Sequence, residues 1–175
     1  MLYYIHGYLS SPDSTKGTLF KKTLNAKSIK YRDCPPEKLV ISDCLKRISK
    51  EIQNDENITL IGSSLGGFLA AKTALTNPVK KLILLNPAII PPDYDISKIK
   101  DMPQEILRDM QDEKLFKQRI NSEIHIFIGT QDDVVSNRWP IEFGRVQEAK
   151  IQFLHDDHSF TGYINQLSDF IKNII

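Results

Sequence analysis

The segment Ile58–Ala71, Ile-Thr-Leu-Ile-Gly-Ser-Ser-Leu-Gly-Gly-Phe-Leu-Ala-Ala, constrains this chain more than any other. A β-branched run enters Gly62-Ser63-Ser64-Leu65-Gly66, and small and apolar residues at helical spacing leave it. G-x-S-x-G between a strand and a helix predicts a sharp turn with Ser64 at its apex. Gly62 and Gly66 stand two residues either side, where a Cβ would collide with the neighbouring strand or helix. Such a turn lifts the hydroxyl above the sheet edge and aims a helix N-terminus at whatever meets it. The alternative is a glycine-rich turn that only packs helix on strand.

The rest of the chain supplies the sheet around that turn. Strands are predicted at Leu2–Ile5, Ser28–Arg32, Ile58–Ile61, Lys81–Leu85, Ile124–Ile128 and Lys150–Leu154. Helices are predicted at Lys16–Asn25, Glu37–Asn54, Leu65–Thr76 and from about Tyr163 to Ile174. Strands apolar on both faces that alternate with helices imply a mostly parallel six-stranded sheet in a three-layer α/β/α sandwich. The interval 88–122 breaks the rhythm, being too long for a simple connection. It carries predicted helices over Pro103–Met110 and Glu113–Ile120 and much apolar surface. Two readings stay open: a replacement for an ordinary crossover helix, or a lid whose inner face forms an acyl-sized pocket.

Composition excludes several classes. The 175 residues suit a single domain over 1–175, with 88–122 as the lid or cap insertion. A net charge of +1 provides no field for nucleic acid or an anionic membrane. No apolar run reaches the length of a membrane span. The apolar start Met1–Ile5 ends at His6-Gly7 without a basic leader, so no signal peptide is expected. Cys34 and Cys44 have neither CxxC nor metal-ligand spacing and read as buried or incidental thiols in a reducing cytoplasm. No metal or cofactor is expected.

A serine hydroxyl is a weak nucleophile near neutral pH and needs a base, and the base needs an orienting acid. In the α/β-hydrolase arrangement the order is Ser, then Asp or Glu, then His, each just past the carboxyl end of a strand. Gly129-Thr130-Gln131-Asp132-Asp133 follows the fifth strand, and His155-Asp156-Asp157-His158 the sixth. Asp132 is preferred because it directly follows the turn, with Asp133 as the alternative that faces solvent or caps a helix. His158 is preferred over His155, which still belongs to the strand end. Asp156 and Asp157 read as loop formers, His125 as a packed or edge side chain, and His6 as a structural loop residue. Two N–H groups would complete an oxyanion hole, Leu65 after the serine and Tyr8 in the loop after the first strand.

The chain resembles the small YqiA-like esterases of the α/β-hydrolase superfamily over nearly its whole length. The likeness rests on His6-Gly7-Tyr8 with Ser10-Ser11-Pro12, Ser14 and Lys16, and on Gly62-Ser63-Ser64-Leu65-Gly66-Gly67. It continues through Asn86-Pro87-Ala88, Asp132 with Val134 and Arg138, and His158-Ser159-Phe160-Thr161-Gly162-Tyr163. It implies a minimal α/β-hydrolase fold with a short helical lid, and Ser64, Asp132 and His158 as a catalytic triad. It also implies a carboxylesterase or thioesterase that cleaves short-chain esters or acyl-CoA through an acyl-enzyme. Lys98, Lys100, Lys117 and Arg119 near the lid are candidates to meet the phosphates of acyl-CoA, although lysines scattered on helices are usually solvated. The chain departs from such relatives in having His155-Asp156 where a glycine pair is usual, and in lacking an Asn-Pro-Tyr stretch in the lid. The competing reading is a non-catalytic protein-binding module on the same scaffold.

Overall fold

Every strand of the sheet runs parallel to its neighbours. The computed structural model describes residues Met1–Ile175. The strands are β1 (Leu2–Ile5), β2 (Lys27–Ser28), β3 (Ile58–Ser63), β4 (Val79–Leu85), β5 (Glu123–Gly129) and β6 (Lys150–Leu154), in the order β2-β1-β3-β4-β5-β6. The chain steps outward from β1 to β2, then crosses back to β3 and proceeds to β6. The reversal lies between β1 and β3, and open α/β sheets bind ligands outside the strand ends at such a point.

Side-chain alternation along the strands divides the core into two layers. Tyr3, Ile5, Leu60, Leu82, Leu84, Ile126 and Ile128 face the larger layer, while Tyr4, Ile61, Ile83, Leu85 and Phe127 face the smaller. The larger layer is covered by α2 (Ile41–Ile52), α3 (Leu65–Ala74), α4 (Gln104–Met110), α5 (Lys114–Lys117) and α6 (Arg138–Gln147). The smaller lies under α1 (Thr15–Leu24) and α7 (Leu167–Lys172). Nearly every side chain of α3 is buried, which explains why its sequence is apolar and small all round rather than striped.

Three local differences from the sequence reading have physical causes. Helix α6 was given no bounds in the sequence reading, and Pro140 and Gly144 interrupt the helical pattern there. Pro140 falls in the first turn, where its missing N–H has no intrahelical acceptor to lose. Gly144 lets the helix settle onto Ile126 and Ile151. The second strand is only Lys27–Ser28 rather than Ser28–Arg32, since the chain turns so that Tyr31 and Arg32 grip the loop after β1. The last helix starts at Leu167 rather than Tyr163; the residues before it form turns, in which Gln166 N and Leu167 N both donate to Tyr163 O at 2.9 and 3.0 Å.

The interval 88–122 packs on the larger layer and also overhangs the carboxyl ends of the strands. Ile89, Ile106, Leu107, Met110, Leu115 and Ile120 are buried in that layer. Gln111 Nε2 donates to the carbonyls of Pro91, Pro92 and Tyr94 at 3.0, 3.1 and 2.7 Å, gathering the first half of the segment. Buried Gln147 donates to Leu115 O and Gln118 O and accepts from Ile120 N, tying the second half to α6. No helix of the protein is long and apolar enough to cross a membrane.

Candidate active site

Ser64 follows β3 and caps α3 with φ 54° and ψ −121°, a left-handed conformation that costs a non-glycine residue roughly 1–3 kcal/mol. The neighbouring glycines supply space rather than unusual dihedrals, for no glycine in the chain has positive φ. A Cβ on Gly66 would fall on the carbonyl oxygens of Ile5 and His6, and one on Gly62 on the Gly66 carbonyl. The turn is held by the Ser64 N–H, which donates to Leu85 O at 3.0 Å, and by the Ser64 carbonyl, which accepts from Ala88 N at 3.0 Å.

The loop after β1 lies directly against this turn. A Cβ on Gly7 would sit 3.3 Å from Ser64 Cβ and 3.9 Å from its Oγ. The Gly7 carbonyl meets Tyr31 OH at 3.1 Å and His6 Nδ1 at 2.8 Å. Arg32 donates to the carbonyls of Tyr8 and Ser10 at 2.8 and 2.9 Å. In a trans peptide the N–H points opposite the preceding carbonyl. The Tyr8 N–H is therefore turned away from Tyr31 and His6, and it donates to no group of the chain. Leu65 is the first residue of α3, so its N–H lacks an intrahelical acceptor.

Asp132 and His158 meet across the ends of β5 and β6. Asp132 Oδ2 accepts from His158 Nδ1 at 2.7 Å, and Oδ1 accepts from Val134 N and Val135 N at 2.9 and 2.8 Å. The Asp132 side chain is 1% exposed and that of His158 19%, so this charge-assisted contact is shielded from water. A carboxylate acceptor places the imidazole proton on Nδ1 and leaves Nε2 free to accept another. Asp133 and His155 are exposed, His155 resting 3.3 Å from Thr130 Oγ1. His125 bonds Glu123 at 3.0 Å on β5. Ser64, Asp132, His158, Gly7 and Tyr8 all line one cavity of about 1000 Å³.

Two residues that sequence reasoning gave no site role hold this arrangement together. Buried Asn86, itself at φ 43°, follows β4 and bridges the loops on either side of it. Its Oδ1 accepts from Gly129 N at 2.7 Å, and its Nδ2 donates to Asp157 O and His158 O at 3.2 and 3.0 Å. Buried Asp156 accepts from the N–H groups of Asp157, Gly162 and Tyr163 at 2.9, 3.1 and 2.9 Å, folding the loop that carries His158. Five non-glycine residues have positive φ; Asn25 and Glu148 close helices, and Ser64, Asn86 and Phe160 lie in the loops of this site. Asn86 was visible as the polar residue that ends an apolar strand before proline and as part of the Asn86-Pro87-Ala88 block of the family likeness, without a role.

The cavity has two characters. Ile90, Ile99, Met102, Leu107, Met110 and Trp139 form an apolar wall, five of the six contributed by the segment 88–122. Ser14, Lys16, Ser159 and Thr161 form a polar wall on the side of α1 and the His158 loop. Lys98 and Lys100 also line the cavity, whereas Lys117 pairs with Glu113 and Arg119 with Glu148. Cys34 and Cys44 are free thiols, and burial pushes Cys44 up to about 11, away from the reactive thiolate form.

His6 stacks on Tyr31 with ring centroids 4.4 Å apart, and burial lowers its pKa to about 4. The unfolded chain takes up this proton at about pH 6.5, before the folded protein does. Stability is thus fully present above that value and declines as pH falls toward 4. Between pH 7 and pH 5 this group should remove about 2 kcal/mol, measured by urea denaturation. His6→Gln should flatten that part of the profile, and an equally steep decline in the variant would assign it to other groups.

A family model described as "Uncharacterised protein family (UPF0227)" matches residues 1–174. No curated protein matches the chain by sequence. Among solved structures, Est1E from Butyrivibrio proteoclasticus, with ferulic acid bound, superposes with a TM-score of 0.80 at 17% identity, covering 99% of this chain and 88% of that one. A lipase-esterase related protein from Clostridium acetobutylicum gives 0.73 at 17% identity, with 99% and 93% covered. Mouse alpha/beta hydrolase domain-containing protein 10 gives 0.71 at 16% identity, with 99% and 88% covered. At these identities the likeness establishes the α/β-hydrolase fold.

Proposed function

The chain belongs to the uncharacterised protein family UPF0227 and has the α/β-hydrolase fold, and from that premise we propose that it is a serine hydrolase cleaving carboxylic esters or thioesters. The observation that carries this reading is the buried Asp132–His158 pair at 2.7 Å, lining the same cavity as a serine at strained φ. His158 Nε2 takes the proton from Ser64 Oγ as oxygen attacks the acyl carbon, and Asp132 holds the tautomer and stabilises the imidazolium. The oxyanion is received by the N–H groups of Tyr8 and Leu65. His158 then protonates the leaving alcohol or thiol and afterwards activates the water that frees the acyl group.

The segment 88–122 serves as a cap in this reading, and its apolar wall takes the acyl chain. Each methylene that still finds apolar surface adds about 0.8 kcal/mol, roughly fourfold in kcat/KM. Acyl-CoA is the thioester form of such a substrate. Steady-state turnover of p-nitrophenyl esters from acetyl to dodecanoyl, beside the matching acyl-CoA thioesters, tests the proposal. Hydrolysis in at least one series, rising with chain length until the wall is filled, is expected. A folded protein that turns over neither series contradicts it.

A further inference from the structure

The polar wall of the cavity contains a cation that the chain leaves unpartnered. Lys16, in the first turn of α1, lines the cavity together with Ser14, Ser159 and Thr161. Its ammonium makes no hydrogen bond and no ion pair with any group of the protein, and neither does that of Lys98, the other unpaired lysine of the cavity; Lys100 donates to Ser97 O at 2.6 Å. A positive charge in the first turn also opposes the helix dipole. Burial draws its pKa down, against the opposing field of Asp157 and Asp156. Both carboxylates are engaged elsewhere and neither bonds the ammonium. Asp157 accepts from Thr161 N and Oγ1 at 3.0 and 2.7 Å, and Asp156 from three backbone N–H groups.

The position of this charge relative to the bond being cleaved follows from the chemistry already assigned. A base that protonates the leaving atom must stand beside the leaving group. Lys16 feels the field of Asp156 and Asp157 on the loop that carries that base, and it lines the same cavity as the apolar side chains of the segment 88–122. We propose that Lys16 selects substrates whose alcohol or thiol portion bears an anionic group, a carboxylate or a phosphate, which it pairs as that portion leaves. This rests on the serine-hydrolase reading above and adds the class of leaving group to it.

The test compares p-tolyl butyrate with 4-(carboxymethyl)phenyl butyrate, which have the same acyl group and similar leaving-group basicity but differ by one carboxylate. The readout is the ratio of kcat/KM for the two esters within each protein, so differences in the amount of folded enzyme cancel. Wild type should favour the anionic ester by about tenfold. Lys16→Met should bring the ratio to about one, Lys16→Glu should push it below one, and Lys16→Arg should retain a preference. A lysine that only balanced Asp156 and Asp157 would slow both esters alike, and a ratio unchanged in Lys16→Met overturns the proposal. So does a wild-type ratio near one, or a preference abolished by Lys98→Met with Lys100→Met instead. If wild type hydrolyses neither these esters nor any of the p-nitrophenyl esters and acyl-CoA thioesters above, the serine-hydrolase reading itself has failed, and this proposal with it; turnover of those substrates with no turnover of these two esters overturns this proposal alone.

Discussion

Ser64→Ala is expected to lower kcat for a butyryl ester by about 10⁴-fold or more while leaving the fold intact. The hydroxyl makes no hydrogen bond that holds the turn; the turn is held by the Ser64 backbone, through Leu85 O, Ala88 N and the N–H groups of Gly67 and Phe68. Removing Oγ therefore removes chemistry and little else. The same dihedrals make a second outcome measurable. At φ 54° and ψ −121° any Cβ is strained, so Ser64→Gly should lose turnover as fully as the alanine variant yet gain about 1 kcal/mol of stability. Thermal unfolding of the three proteins in parallel, with turnover measured on the same samples, separates the two effects. Turnover within tenfold of wild type in Ser64→Ala would mean that another group performs the attack.

Asn86→Ala carries the second large effect, because one side chain joins the ends of β4, β5 and the loop after β6. The alanine leaves the buried Gly129 N–H and the carbonyls of Asp157 and His158 without partners, and it keeps a positive φ that asparagine tolerates better. Stability should fall by about 2–4 kcal/mol, and kcat by roughly a hundredfold as the loop carrying His158 loses its tether to β4. Asn86→Asp restores an acceptor for Gly129 N but sets a carboxylate against two carbonyls, so it should not rescue kcat. KM should change much less than kcat in both variants, since the apolar wall of the cavity comes from the segment 88–122. A kcat that survives in Asn86→Ala while stability falls would show that Asp156 alone suffices to position His158.

The parts of the fold legible in the residues were those where local pattern and tertiary burial agree. Apolar runs such as Leu82–Leu85 and Ile126–Ile128 are buried on both faces, so a parallel sheet is the only economical place for them. The bounds of helix α6 were hidden because Pro140 and Gly144 break the local pattern while Trp139 and Phe143 dock the helix on the core. Ser64, Asp132 and His158 could be picked out because each follows a strand, and the structure pairs Asp132, rather than Asp133, with His158. Asn86, Asp156 and Arg32 were not seen as parts of the site, since each acts on backbone groups brought close only by the folded topology. Side chains that bond to distant main chain leave no periodicity and no spacing in the sequence.

Reaction of the purified protein with a fluorophosphonate, followed by intact-mass analysis and peptide mapping, tests the central claim most directly. The account predicts a single adduct, on Ser64, formed rapidly in wild type and slowed by several orders of magnitude in His158→Ala. Folded wild-type protein that takes no adduct would contradict it and favour a scaffold that binds without catalysis, and an adduct on Ser63 or Ser159 instead would contradict it by assigning the attack to another serine.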